Sequence, residues 1–108
     1  MEIHKNVTGE SCELLVSGRI DGEGASRLDE LLSAILFPKR VDQPDAKAIY
    51  VNLRNASFLS SAGLRVLMQH SRTMKNRQGQ LRVSQPSPET TEALRMAGLY
   101  DELVAKDP

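Results

Sequence analysis

The chain of 108 residues carries 14 Lys and Arg against 14 Asp and Glu, for a formal net charge of zero, with 40% hydrophobic and 26% charged residues. That length suits one soluble domain, 1–108, able to bury roughly two-thirds of its unfolded surface without disulfide or metal staples. Zero net charge excludes a general polyanion binder, which gains affinity when surplus Lys and Arg release counterions from phosphates, so no nucleic-acid partner is expected.

In chain order, residues 2–7 and 12–20 read as two strands joined across Thr8-Gly9-Glu10, an opening hairpin. Met1-Glu2-Ile3-His4-Lys5 lacks the basic-then-apolar order of a signal peptide, and no apolar run approaches the ~18 residues that span a bilayer. No membrane insertion is expected. Cys12 is the only cysteine, which rules out an internal disulfide and fits a reduced, cytoplasmic setting. Asp21-Gly22-Glu23-Gly24 reads as a break; without the third glycine of a dinucleotide fingerprint, its glycines signal a turn. Ala25, Leu28, Leu31, Leu32 and Ile35 then recur at helical spacing up to Pro38, and Lys39 to Ala46 is the one long loop.

Ala48-Ile49-Tyr50-Val51-Asn52-Leu53 is nearly continuous apolar, as expected of a central strand. Beyond Phe58-Leu59-Ser60-Ser61, the positions Leu64, Leu67, Met68, Ser71 and Met74 predict a second helix that stops near Gly79. Leu81 to Ser84 reads as a short strand. Ser87-Pro88 opens a third helix, a hydroxyl cap followed by Pro at the first turn, with Ala93, Leu94 and Ala97 on one face and Gly98 as its stop. Leu99 to Val104 forms a last short element. The order β-β-α-β-α-β-α predicts an α/β domain with a mixed sheet of four to five strands and helices mainly on one face, because strand-helix-strand crossovers join parallel neighbours.

The strand-to-helix turn Ser60-Ser61 is the main candidate for function. The plain role of a hydroxyl there is an N-cap. The sharper role is a phosphorylation switch: a phosphoserine adds about −1.5 to −2 charge and is favoured by the positive end of a helix dipole. From Ala46 to Pro88 there is no Asp or Glu, while Lys47, Arg54, Arg65, Arg72, Lys75, Arg77 and Arg82 supply seven cations. A phosphate there would be the strongest negative charge in a stretch that encodes none. A serine hydrolase is disfavoured, since the segment is not Gly-x-Ser-x-Gly and only His4 and His70 could serve as bases. His70 is expected to face solvent or a partner, and the two histidines lack zinc-ligand spacing. Neither a P-loop nor any other cofactor motif occurs, and no enzyme activity is expected. Tyr50 and Phe58 are expected to be buried; Arg65, Gln69, Arg72 and Asn76 form a polar stripe on the second helix.

Gly18-Arg19-Ile20-Asp21, Val51 to Phe58, Leu59-Ser60-Ser61-Ala62-Gly63-Leu64, Gln85-Pro86-Ser87-Pro88 and Ala97-Gly98-Leu99, in that order and spacing, resemble a STAS domain of the anti-sigma factor antagonist family. The resemblance covers nearly the whole chain. It implies a small cytoplasmic bacterial protein that binds an anti-sigma factor, itself a serine kinase of the histidine-kinase-like ATPase fold. Phosphorylation breaks that complex and a PP2C-type phosphatase restores it. The family's Asp-Ser-Ser/Thr-Gly-Leu motif falls on Ser60-Ser61-Ala62-Gly63-Leu64, which makes Ser61 the phosphoacceptor, with Ser60 as the alternate. It implies a partner surface of Ser60, Ser61, Ala62, Gly63, Leu64, Arg65 and Gln69, where Gly63 permits close approach of the partner. A STAS accessory subunit of a lipid transporter or larger signalling assembly is the alternative.

Overall fold

The computed structural model describes residues 1–37 and 46–104, so the long loop expected over Lys39 to Ala46 lies, except for Ala46, outside the described residues. The elements are β1 (Glu2–Thr8), β2 (Ser11–Ile20), α1 (Gly22–Leu36), β3 (Ala48–Leu59), α2 (Ser61–Asn76), β4 (Gln80–Ser84), α3 (Pro88–Met96) and α4 (Tyr100–Leu103). They form a four-stranded mixed sheet in the order β1-β2-β3-β4. β1 and β2 are antiparallel, whereas β2 with β3 and β3 with β4 are parallel, as the strand-helix-strand crossovers through α1 and α2 predict.

Period-2 alternation puts one face of this sheet into the core. Cys12, Ile49 and Leu81 are register partners across β2, β3 and β4, and so are Leu14, Val51 and Val83; all six are buried. Leu28, Leu32 and Leu36 from α1 and Leu67 and Met74 from α2 complete the cluster, and the two helices also pack on each other. Burial pushes the Cys12 thiol above its ordinary value, against a smaller downward pull from Lys5, which leaves it neutral and unreactive at physiological pH.

Several expectations change. β2 ends at Ile20 as expected, but the glycines that follow are no turn: Asp21 is the N-cap of α1, its Oδ1 accepting the Gly24 N–H at 2.9 Å, and Gly22 to Gly24 form the first helical turn. The central strand runs on to Leu59, through Arg54 to Phe58, because it pairs with β2 over the added length. Helix α2 ends at Asn76; the left-handed residue that reverses the chain is Gln78 (φ 63°), not Gly79. In α3 the buried residues are Thr90 and Leu94, while Ala97 is the exposed C-cap, followed by Gly98 in the left-handed conformation (φ 71°) that favours glycine. Val104 adds a parallel bridge to Val83 of β4.

His70 is also corrected. It is 7% exposed, and its Nε2 donates to Asp29 Oδ1 at 2.6 Å, which ties α2 to α1. An imidazole one turn from Leu67 and Met74 faces the same inward side of α2, and α1 supplies the carboxylate that satisfies it.

The start of α2 is set by contacts to both central strands. Ile20 and Leu59 are the last register pair of β2 and β3, and the Ser60 N–H donates to the Ile20 carbonyl at 2.9 Å. One turn later, a Cβ on Gly63 would lie 2.7 Å from Leu59 Cδ1 and 2.9 Å from Ile20 Cγ2. Gly63→Ala is therefore expected to destabilise the domain by about 1–3 kcal/mol through overpacking, read as a lower urea midpoint with unchanged slope. An unshifted midpoint would show that α2 has room to move.

Candidate functional site

The two hydroxyls at the start of α2 have different jobs. Ser60 is the N-cap: it is half-buried, its backbone is extended (φ −77°, ψ 167°), and its Oγ accepts the Gly63 N–H at 3.1 Å. Ser61 is the first helical residue and is exposed; among the described residues its hydroxyl has no hydrogen-bond partner. With the cap supplied by Ser60, the Ser61 oxygen points into solvent at the positive end of a 16-residue helix.

Of the other predicted contact residues, Arg65 and Gln69 are exposed one and two turns beyond Ser61, and Ala62 and Leu64 are half-buried against the core. These share one surface with the serines. Gly63 does not: it is buried, and its missing side chain lets α2 approach β2 and β3 rather than a partner. In the polar stripe, Arg72 is committed within the chain, its Nε donating to Glu102 Oε1 at 3.2 Å.

Neighbouring groups come from outside the acid-free stretch. Because Ile20 pairs with Leu59, α1 and α2 begin side by side, and Asp21 stands next to the Ile20 carbonyl that Ser60 engages. Arg19 lies with its guanidinium 4.3 Å from the centroid of the Phe58 ring. Phe58 is exposed at 36%, against the expectation of burial, while Tyr50 is half-buried. Strand alternation carries the signal that was missed, since Phe58 and the buried Leu59 are neighbours in β3 and point to opposite faces.

The chemistry open to this surface is limited. Ser61 and His70 are nine residues apart on α2, roughly 13 Å of helix rise, and His70 is engaged by Asp29. Among the described residues, no group of three or more His, Cys, Asp or Glu is placed to hold a metal ion. No helix there is long and apolar enough to cross a membrane.

The profile of the STAS domain matches residues 1–107. The chain belongs to the STAS domain family. No curated protein sequence matches it. Among solved structures, the anti-sigma factor antagonist SpoIIAA in its unphosphorylated form is similar with a TM-score of 0.81 at 20% identity, over 98% of this chain and 89% of that one. Bacillus SpoIIAA in its phosphorylated form gives 0.74 at 19% identity, over 98% and 92%. The STAS domain of a SulP transporter from Vibrio cholerae gives 0.63 at 14% identity, over 91% and 71%. At these identities the likeness establishes the fold, and this STAS domain shares the mixed sheet and helix order already described.

The division of labour between the serines is measurable. Ser60→Ala is expected to cost about 1 kcal/mol through loss of the cap, and Ser61→Ala to stay within about 0.5 kcal/mol of wild type, in urea unfolding. Equal losses would mean that both hydroxyls support the helix.

Proposed function

We propose that this STAS domain is an anti-sigma factor antagonist that works as a phosphorylation-controlled binding switch in the cytoplasm. Its unmodified form binds an anti-sigma factor that is also a serine kinase of the histidine-kinase-like ATPase fold. That kinase transfers the γ-phosphoryl group of ATP to Ser61 Oγ, with loss of the hydroxyl proton and release of ADP. A PP2C-type phosphatase then hydrolyses the ester, returning the serine and inorganic phosphate. The domain itself is a binding module and not an enzyme.

The observation that carries this reading is the exposed, unpartnered Ser61 hydroxyl at the first position of α2, with Ser60 holding the cap. A phosphate at that position is compatible with the helix, because its charge of about −2 meets the positive end of the dipole. A partner packed over Ser61, Leu64, Arg65 and Gln69 would instead have to desolvate a dianion, so modification ejects it while the fold persists. Likeness to SpoIIAA in unphosphorylated and phosphorylated forms supports the same reading. The likeness to a SulP transporter STAS domain favours a second one, a constitutive docking subunit in which Ser61 is never modified.

Incubation of wild type, Ser61→Ala and Ser61→Asp with an anti-sigma kinase from the same genome and ATP separates them. Mass mapping should place phosphate on Ser61 in wild type and find none in Ser61→Ala, and Ser61→Asp should bind the kinase at least ~10-fold more weakly, about 1.4 kcal/mol. Full phosphate incorporation in Ser61→Ala would overturn the assignment. Tight binding by Ser61→Asp together with no phosphorylation of wild type would favour the docking subunit.

A further inference from the structure

Among the described residues four large hydrophobic side chains are exposed, and two of them, Phe58 (36%) and Met96 (82%), line one groove. The groove, of about 290 Å³, runs between the end of β3 and α3, with Ser57, Phe58, Ala93 and Met96 along it and Glu89 and Glu92 on the α3 wall. We infer that this groove is a docking point for a partner segment that is apolar on one side and basic on the other. The inference relies on the proposed switch only in assigning that segment to the same partner that covers Ser61.

Three features fix the chemistry of the occupant. The volume sits at the foot of the roughly 300–1,000 Å³ range of small-molecule pockets, and the exposed rim suits one or two anchoring side chains of a protein segment better than an enclosed ligand. The floor is preorganised, because Arg19 stacked 4.3 Å from the Phe58 centroid holds the ring in place before a partner arrives. Glu89 and Glu92 are exposed and have no cationic partner among the described residues, so their charges are free to meet Lys or Arg from outside.

The charge order along the chain then orients the partner. Acids are absent from Ala46 to Pro88 and begin again at Glu89, the second residue of α3. Phe58 lies two residues before the Ser60 cap, so the groove and the switch adjoin at the same end of β3. A partner spanning both meets Arg65 beside Ser61 and the carboxylates of Glu89 and Glu92 on α3, while the nearby guanidinium groups of Arg19 and Arg95 are held against the Phe58 and Tyr100 rings. Reversal would place like charges together, which disfavours the wrong orientation.

Amide shifts of the ¹⁵N-labelled domain provide the test, with two synthetic amphipathic helical peptides as probes, one of Leu and Lys and one of Leu and Glu. The Leu–Lys peptide should shift the amides of 57–59 and 92–96, and the Leu–Glu peptide should bind at least ~10-fold more weakly. Glu89→Gln with Glu92→Gln, and separately Met96→Ser, should each weaken the Leu–Lys peptide by a similar factor while leaving the rest of the spectrum unchanged. Equal response to both peptides, shifts confined to other surfaces, no shifts, or insensitivity to the variants would overturn the inference. Phosphate mapping at Ser61 is read independently, so failure of the groove and failure of the switch are distinguishable.

Discussion

The close approach of Gly63 to Ile20 and Leu59 sets where the first turn of α2 stands, and with it Ser60 and Ser61. It presses the first turn of α2 onto the ends of the two central strands, where the Ser60 N–H also meets the Ile20 carbonyl. Two consequences follow from that geometry. The half-buried Ser60 can turn its oxygen only toward the helix, and it caps Gly63 N–H. Ser61, one residue later, is rotated outward onto the exposed side. The helix start is thus tied by a backbone hydrogen bond to the end of β2, and the exposed Ser61 hydroxyl stands on an anchored turn.

Electrostatics have to be read from the assembled fold. The stretch from Ala46 to Pro88 carries seven cations and no acid, yet folding brings acids from elsewhere to several of its polar groups. Asp29 engages His70, Glu102 engages Arg72, and Asp21 stands beside the start of α2. Arg77 is likewise committed, donating to the Leu36 carbonyl at the end of α1. Arg65 is what remains exposed next to Ser61, and the carboxylates of α3 lie across the end of β3 from it. Both signs of charge meet around the end of β3, whereas the chain-order count describes a uniformly basic region.

How much was legible depended on whether a local rule controlled the residue. Element order, the mixed sheet, the central strand and the Ser87-Pro88 start were readable because periodicity, capping and crossover handedness are local or topological rules. The family resemblance reached Ser60 and Ser61 through motif spacing alone. His70 is not legible as buried because its imidazole needs a carboxylate 41 residues away, which leaves no local trace, whereas the outward Phe58 follows from strand alternation against Leu59. Gly22 and Gly24 suggest a turn by composition, although the Asp21 cap makes them helical.

From the sequence alone come the fold class, the position of the hydroxyl pair at a helix start and the membership of a recognisable pattern, since each rests on local periodicity, capping and the order of short motifs along the chain. Which serine caps and which is free, why Gly63 has no side chain, and where the surface changes sign were decided only when β2, β3 and α2 came together. Those properties depend on distances between residues far apart in the chain: the space between Gly63 and Ile20, the hydrogen bond from Ser60 to β2, and the placement of α3 beside Phe58.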